Sequence, residues 1–177
     1  MTGSAIHRVN PEFERQWKGA RADATEVVIN VIRVGERMSA VVESFVRAHG
    51  LPSITALQVL SVLWGDQKAG NRRGLAPSEI ADRSVMSRPA LSGVMDTLER
   101  RGLITRSLDP DDRRRALVEI TREGVELMTR LQPKLHQTEV EWTKALSPTQ
   151  KASLLRELGR LYGDLPAFLN PDNVDSR

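Results

Sequence analysis

The chain has 177 residues, of which 40% are hydrophobic, 28% are charged and only 4% are aromatic, and its formal net charge is +3. This length suits one globular domain, or one domain with an extension, whose core must be built mainly from aliphatic side chains. The absence of cysteine excludes a disulfide framework, a cysteine-bound metal and a thiol redox sensor. Because the sequence has neither a membrane-length apolar run nor the apolar centre of a signal peptide, it predicts a soluble cytoplasmic protein without a membrane partner.

The N-terminal part of the chain predicts a long helix with two apolar lines. Residues 1–12 are polar and broken by Pro11, so we expect them to be disordered; the helix runs from Glu12 to about Ala48 and is interrupted near Gly19. One apolar line follows positions 27, 31, 34, 38, 41 and 45, and the other follows 28, 32, 42 and 46. Two apolar lines need two partners, such as the helix's own domain and a second subunit. A core helix in a larger bundle is the alternative.

The middle of the chain predicts three further helices. Thr55 and Gln58 form a capping box that opens the first helix, and residues 65–74 form a loop. A short helix begins at Pro77, and after a polar break Ser87 caps a longer one. The longer helix carries a single apolar stripe, formed by Leu91, Val94, Met95 and Leu98.

A hairpin and two more helices complete the chain. After Gly102 ends the preceding helix, residues 103–108 and 115–120 are rich in β-branched side chains and predict two antiparallel strands joined by the turn DPDDRR. Thr121 caps the next helix, and a capping box formed by Ser147 and Gln150 opens the last one.

This element order predicts a mainly helical fold with a small β-wing: a winged helix-turn-helix with long N- and C-terminal dimerisation helices. Residues 72–115 carry ten Lys/Arg against seven Asp/Glu, which is the whole positive surplus of the chain and suits a polyanion. We therefore divide the chain into a disordered start (1–12), an extension with a dimerisation helix (13–50), a DNA-binding domain (51–121), C-terminal dimerisation helices (122–169) and a disordered tail (170–177).

The start of the second helix of this predicted motif has the side chains that a major groove requires. Small or hydrogen-bonding groups can approach base edges there, whereas carboxylates would meet phosphates. Arg88 can contact a guanine edge or a phosphate. An amphipathic surface helix with a serine cap is the alternative. The DNA contacts predicted on the two helices are Ser78, Ser87, Arg88, Pro89, Ala90, Ser92 and Gly93.

The turn of the hairpin places three aspartates directly before three arginines (109–115). An arginine at a turn tip loses about 2 kcal/mol of rotamer freedom when it is fixed, and a neighbouring carboxylate can hold it in one direction beforehand. We predict that Asp112 or Asp109 orients Arg114 or Arg113 towards a narrow, A·T-rich minor groove, and that the other arginine contacts phosphate. A polar turn followed by solvated arginines is the alternative, and which arginine enters the groove is open.

The stretch MSRPALSGVMDTLERRGLITRSLDPDDRRRALVEITREG (86–124) closely resembles the MarR family of bacterial winged-helix transcription regulators. It includes LERRGLIxR after the recognition helix, the wing DPDDRR and TxxG at the next helix, and the resemblance extends over about residues 27–165. It implies an obligate homodimer that binds a palindromic operator in double-stranded DNA, usually represses transcription, and is released by a small anionic or phenolic ligand or by an oxidant. The Asp-x-Arg of the family's wing falls on Asp112 and Arg114.

The segment RQW (15–17) resembles the extra N-terminal helix of the urate-responsive and PecS-like branch of that family. The resemblance implies that Trp17 helps to line a ligand pocket, with core packing as its alternative role. Gln58 and Val94 depart from the urate-binding pattern, so we do not expect urate. Since cysteine is absent, an aromatic or anionic small molecule is the expected effector. The candidate pocket residues, between the dimer helices and the DNA-binding lobe, are Trp17, Arg37, Gln58 and Trp64.

Two other classes of function fit less of the sequence. A winged-helix module that binds a protein partner, without specific DNA binding, would have a recognition helix without basic residues, and Arg88 argues against it. An enzyme is not expected, because no nucleophile–base arrangement or carboxylate pair is visible. His7, His49 and His136 are scattered without metal-ligand spacing, so neither a metal nor another cofactor is expected.

Overall fold

The computed structural model describes residues 6–10, 12–71, 73–84, 88–112 and 114–168, and only the backbone of residue 88 and of residues 164–168. The described chain is mainly helical with one small antiparallel sheet, which confirms the predicted fold class. It falls into two compact units with the boundary after Leu131, inside a helix. The elements are α1 (Phe13–Gln16), α2 (Ala22–Ala48), α3 (Ile54–Lys68), α4 (Pro77–Ser84), α5 (Arg88–Arg100), β1 (Ile104–Leu108), β2 (Ala116–Ile120), α6 (Arg122–Thr143) and α7 (Pro148–Phe168).

Residues 6–10 lie along α2 instead of continuing the disorder expected for residues 1–12. The side chain of Asn30 accepts a hydrogen bond from the backbone N–H of His7 at 2.8 Å and donates one to its carbonyl at 3.0 Å. Glu26 accepts the N–H of Val9 at 2.9 Å and forms an ion pair with Arg8. The rest of the expected disorder, at 1–5, 11 and 170–177, lies outside the described residues.

The two apolar lines of α2 have different surroundings at the two ends of the helix. Val46, near the C-terminal end, is fully buried in the first unit, where α2 contacts α3. Towards the N-terminal end the apolar side chains are exposed to solvent. One of the two predicted partners of α2, its own domain, is therefore present within the chain. The apolar side chains of α2 that stay exposed are Val27, Val28, Val31, Ile32, Val34, Met38 and Val41.

Ser53, and not the predicted Thr55, caps α3. The Ser53 hydroxyl oxygen accepts the N–H of Ala56 at 3.1 Å, so the helix begins two residues earlier than predicted. Glu43 of α2 accepts the free N–H of Ile54 at 2.7 Å and so satisfies a second donor at this helix end. The capping-box spacing that begins at Thr55 lies inside the helix, which is why that prediction was wrong.

The predicted hairpin is confirmed as the pair β1 and β2. The two strands are antiparallel, with Ile104 opposite Ile120 and Ser107 opposite Leu117. Leu75, just before α4, exchanges backbone hydrogen bonds with Val118 at 2.9 and 3.0 Å and so adds a third backbone segment. The base of the hairpin is thus fixed directly to the segment that leads into α4.

Two glycines allow the backbone to approach this hairpin closely. Gly74 has φ of 79°, and a Cβ there would lie 2.7 Å from Cγ of Glu119. Gly124, in the first turn of α6, faces the carbonyl of Leu103, and a Cβ there would lie 2.7 Å from Cγ1 of Ile120. The predicted cap at Thr121 is confirmed, because its hydroxyl accepts the N–H of Gly124 at 3.1 Å.

The core of the first unit receives aliphatic side chains from each helix from α2 to α6 and from both strands. Because helices α3 to α5 and the hairpin share this core, α5 is held with one face inward and the other free. The hydrophobic residues buried to at least 97% are Val46, Leu51, Val59, Leu60, Leu63, Leu75, Ile80, Leu91, Leu98, Ile104, Leu117, Val118, Met128 and Leu131, together with Ala56.

The second unit contains the end of α6 and the helix α7. Pro133 lies within α6, where the helix continues to Thr143. The predicted capping box is confirmed: Gln150 accepts the N–H of Ser147 at 2.8 Å and donates its own N–H to the Ser147 hydroxyl at 3.3 Å. Large apolar side chains of α7 are exposed, namely Leu154, Leu155, Leu158, Leu161 and Tyr162.

Candidate nucleic-acid interface

Helix α5 buries one face and exposes the small residues of its first turns. Leu91, Met95 and Leu98 are buried at a spacing of four and three residues, which anchors the helix to the core. The described side chains opposite them carry little bulk. Helix α5 therefore presents a smooth surface that a groove could approach closely, formed by Pro89, Ala90, Ser92 and Gly93, all exposed.

The other predicted contacts of the helix-turn-helix are only partly described. Ser78 is exposed in the first turn of α4. Arg88 is the first residue of α5, but its side chain lies outside the described part, as do Ser87 and Arg113 entirely. The structure thus places Ser78 and the four α5 residues at the surface and leaves the other three as predictions.

Two carboxylates on the exposed side of α5 are paired with an arginine that sequence reasoning missed. Arg106 of β1 donates a hydrogen bond to Asp96, and its Nε lies 3.4 Å from a carboxylate oxygen of Glu99. Unpaired, these acids would repel phosphates. Arg106 lies two residues after Ile104, so the alternation of side chains along β1 predicts that the two residues share a face of the strand. The sequence does not show which helix lies next to that strand, because this depends on the tertiary fold.

The wing turn is organised by backbone contacts more than by pairing of its own side chains. Asp112 accepts the backbone N–H of Arg114 at 3.0 Å, and its carbonyl accepts the N–H of Arg115 at 2.9 Å. The Arg114 side chain is exposed, and within the described residues its guanidinium has no hydrogen bond or ion pair. Asp112 therefore shapes the turn below Arg114, without the predicted contact to the guanidinium.

Asp109 holds an arginine from a different part of the chain and makes no hydrogen bond or ion pair with the Arg114 side chain within the described residues, whereas the predicted contact with Arg113 lies outside them. Its carboxylate is 1% exposed and accepts two hydrogen bonds from Nη2 of Arg73, at 2.7 and 2.8 Å. The same nitrogen lies 3.0 Å from Asp111. Arg73 and the N–H of Asp111 hold the pKa of Asp109 below its ordinary value, because both favour the charged form.

Arg115, the last arginine of the run, connects the wing to α4. Its guanidinium lies 2.8 Å from the carboxylate of Glu79. Glu79 also accepts the N–H of Ala76 at 2.7 Å, at the start of the helix. The N–H of Ala76 and, next to it, Arg115 lower the pKa of Glu79. Arg115 is therefore committed to a contact within the chain, which leaves Arg114 as the described arginine available at the tip.

Among the described residues, no side-chain hydrogen bond or ion pair joins the four candidate pocket residues to one another. Trp17 follows α1 and is 64% exposed, Arg37 is exposed on α2, and Gln58 is exposed on α3. Trp64 is half-buried on α3, with the ammonium of Lys68 3.6 Å from its ring centre. A cleft of about 400 Å³ in the first unit has a different lining, formed by Leu63, Asp66, Gln67, Asn71, Gly74, Val118, Glu119 and Ile120.

The described residues contain no group of three or more His, Asp or Glu side chains that could hold a metal ion. Nδ1 of His49 donates to the carbonyl of Phe45, and His136 pairs with Glu139. In the same part of the chain, every helix is too short or too polar to cross a bilayer.

Comparison with known proteins places this surface in a family context. The MarR family model matches residues 67–116, which contain α4, α5 and most of the wing. A putative transcriptional regulatory protein for the hcr operon of Thauera aromatica is 31% identical over 96 residues, 54% of this chain and 58% of that protein. The HTH-type transcriptional repressor YetL of Bacillus subtilis is 26% identical over 157 residues, 89% and 91% of the two chains. The HTH-type transcriptional regulator PecS of Dickeya dadantii is 25% identical over 155 residues, 85% and 90% of the two chains.

Solved structures show the same fold. The MepR–DNA complex of S. aureus is matched with a TM-score of 0.68 and 20% identity, over 76% of this chain and 94% of that one. The PcaV regulator of Streptomyces coelicolor, in complex with its natural ligand, is matched with a TM-score of 0.62 and 21% identity, over 73% and 89%. Both likenesses extend well beyond residues 67–116.

Proposed function

We propose that this chain is a winged-helix transcriptional repressor of the MarR family that binds a palindromic operator as a homodimer. The observation that carries the proposal is the exposed start of α5. Four small residues face outward there, and Arg106 pairs with both acids further along the helix and so offsets one of their two negative charges. Such a helix can enter a major groove without steric obstruction and with reduced repulsion of the phosphates.

The wing supplies the second contact of the proposed complex. Arg114 is exposed at the turn tip, and Asp112 fixes the backbone beneath it. An arginine presented in this way suits a narrow minor groove, where the negative potential is greatest. We assign the minor-groove contact to Arg114 or Arg113. Ser78, Ser87 and Arg88 supply further contacts, from the helix-turn-helix.

The apolar faces of α2 and α7 support the homodimer. Each helix exposes a row of large aliphatic side chains, from Val27 to Val41 in α2 and from Leu154 to Tyr162 in α7. Rows of this kind are unfavourable in water and typical of a protein interface. A two-fold dimer would place the two α5 helices about 34 Å apart, to meet successive major grooves.

We further propose that a small aromatic or anionic ligand releases the operator, since the chain has no cysteine for oxidative control. Trp17, Arg37, Gln58 and Trp64 remain the candidate contacts, supported by their exposed or half-buried side chains. A ligand that changes the spacing of the two α5 helices would weaken binding. The proposed role is non-enzymatic and cytoplasmic, and it requires no cofactor.

One substitution on α5 with a matched control tests DNA binding. The duplex is selected from a random library by the wild-type protein. Ser92→Glu should weaken binding to it by about tenfold or more, because a carboxylate would then face phosphates. Ser44→Glu introduces the same charge at an exposed serine on the polar side of α2 and should bind as the wild type does. Equal affinities of the two variants, or a wild type that selects no sequence, would contradict the proposal and favour a protein-interaction module.

A further inference from the structure

Arg73 joins two segments that are far apart in the sequence. It lies in the loop between α3 and α4, and a single nitrogen of its guanidinium contacts Asp109 and Asp111, 36 and 38 residues later. Asp109 is 1% exposed, whereas the Arg73 side chain is 53% exposed. A buried carboxylate is costly without a cation and donors, so the position of Asp109 depends on Arg73.

The loop that carries Arg73 is itself held in place. Asn71 accepts the backbone N–H of Arg73 at 3.0 Å and donates a side-chain hydrogen bond to Asp66 of α3. Asp66 is also paired with Arg83 of α4 at 2.8 Å. A continuous series of polar contacts therefore leads from α4 through α3 and the loop to the first residue of the wing turn.

Asp109 in turn closes the wing turn. Its backbone N–H donates to the carbonyl of Arg115 at 2.8 Å, and its carboxylate accepts the N–H of Asp111 at 3.0 Å. Arg114 lies between these two bonded ends, above the Asp112 contact to its N–H. The direction of the turn tip is thus fixed on one side by Arg73 and on the other by the pair of Arg115 with Glu79.

We propose that Arg73 is a positioning residue: its grip on Asp109 and Asp111 holds the wing turn so that Arg114 is presented to the minor groove. The proposal rests on the proposed function and adds a residue that does not itself contact DNA. A wing held before binding loses less conformational freedom when it enters the groove. Loss of the grip should therefore reduce affinity for the selected duplex by up to about thirtyfold, which corresponds to the freedom lost by one arginine side chain.

A double-mutant cycle on the selected duplex tests this assignment. Arg73→Ala and Arg114→Ala are measured singly and together, at several salt concentrations and on duplexes with A·T pairs replaced by G·C at the wing flanks. If Arg73 acts through the wing, Arg73→Ala lowers affinity and weakens the A·T preference, and it adds little in the Arg114→Ala background. Arg73→Lys keeps the charge but not the planar guanidinium, and should show an intermediate loss.

Two results would overturn the assignment of Arg73 as a positioning residue. Losses that add in the double variant, with a salt slope reduced by about one, would mean that Arg73 binds phosphate directly. If Arg73→Ala keeps the wild-type affinity and A·T preference, Arg73 has only a stabilising role. Where Arg73→Ala does not fold, the same result in Arg73→Lys leads to the same conclusion. Arg122→Ala, which removes an exposed arginine paired with Glu126, controls for charge and should bind as the wild type does. If instead the wild type selects no duplex, the proposed function fails, and that outcome is distinct.

Discussion

Gly124 lies in the first turn of α6 against the base of the wing, and we predict that Gly124→Ala destabilises the protein. Within a helix, alanine is favoured over glycine by about 1 kcal/mol. At Gly124, however, the new Cβ would overlap the carbonyl oxygen of Leu103 and lie 2.7 Å from Cγ1 of Ile120. Overpacking of this kind costs typically about 1–3 kcal/mol, and a backbone oxygen cannot turn aside as a side chain can. The overlap should therefore outweigh the helix propensity.

The expected net loss is up to about 2 kcal/mol, which for a chain of this length lowers Tm by up to about 8 °C. Thermal unfolding is compared at equal protein concentration, because the stability of a dimer depends on it. Gly65→Ala is the matched control: Gly65 is also helical and in the same unit, but a Cβ there meets no atom within 4 Å. It should raise Tm slightly. A Gly124→Ala variant as stable as Gly65→Ala would refute the close approach of α6 to the wing.

Two further predictions concern charged groups of the candidate interface. Arg106→Gln leaves Asp96 and Glu99 without their cation and should weaken binding to the selected duplex several-fold, most at low salt. The control Arg122→Gln should not weaken binding, and equal losses for the two variants in a filter or anisotropy assay would contradict the pairing. Asp109 has a lowered pKa, so its ionised form stabilises the fold above its ordinary value of 3.8, and this stabilisation is lost as the pH falls through the lower folded value. Asp109→Asn should therefore be less stable than the wild type at pH 7, with the difference narrowing in acid; a difference that does not depend on pH would exclude the charge effect.

Local patterns predicted most of the fold because they depend on neighbours in the sequence. The apolar stripe of α5, the caps at Thr121 and Ser147, and the break at Gly19 are all set within a few residues. Where two local signals compete, the pattern alone fails. Ser53 and Thr55 both precede a helical pattern, and the contact of Ile54 with Glu43, eleven residues away, favours the earlier start. Similarly, α3 extends to Lys68 although a glycine at 65 suggested a loop.

The exposed residues of the candidate interface could be predicted from the sequence, but the ion pairs with residues far away in the chain could not. Small residues at the start of α5 follow from the opposite apolar stripe. The pairing of the wing charges does not follow from their order in the turn. Asp109 is paired with Arg73, and Arg115 with Glu79, each across 36 residues, so these two charges serve contacts outside the turn. These ion pairs form because the fold brings the segment that leads into α4 close to the wing turn.

The salt dependence of binding to the selected duplex, beside that to a scrambled duplex, tests the central claim most directly. A dimer that neutralises about six or more phosphates should give a slope of log affinity against log salt of about −5 or steeper. It should also bind the selected duplex at least about a thousandfold more tightly than the scrambled one. A shallow slope, or the same affinity for both duplexes at every salt concentration, would contradict the assignment of this winged helix to operator recognition.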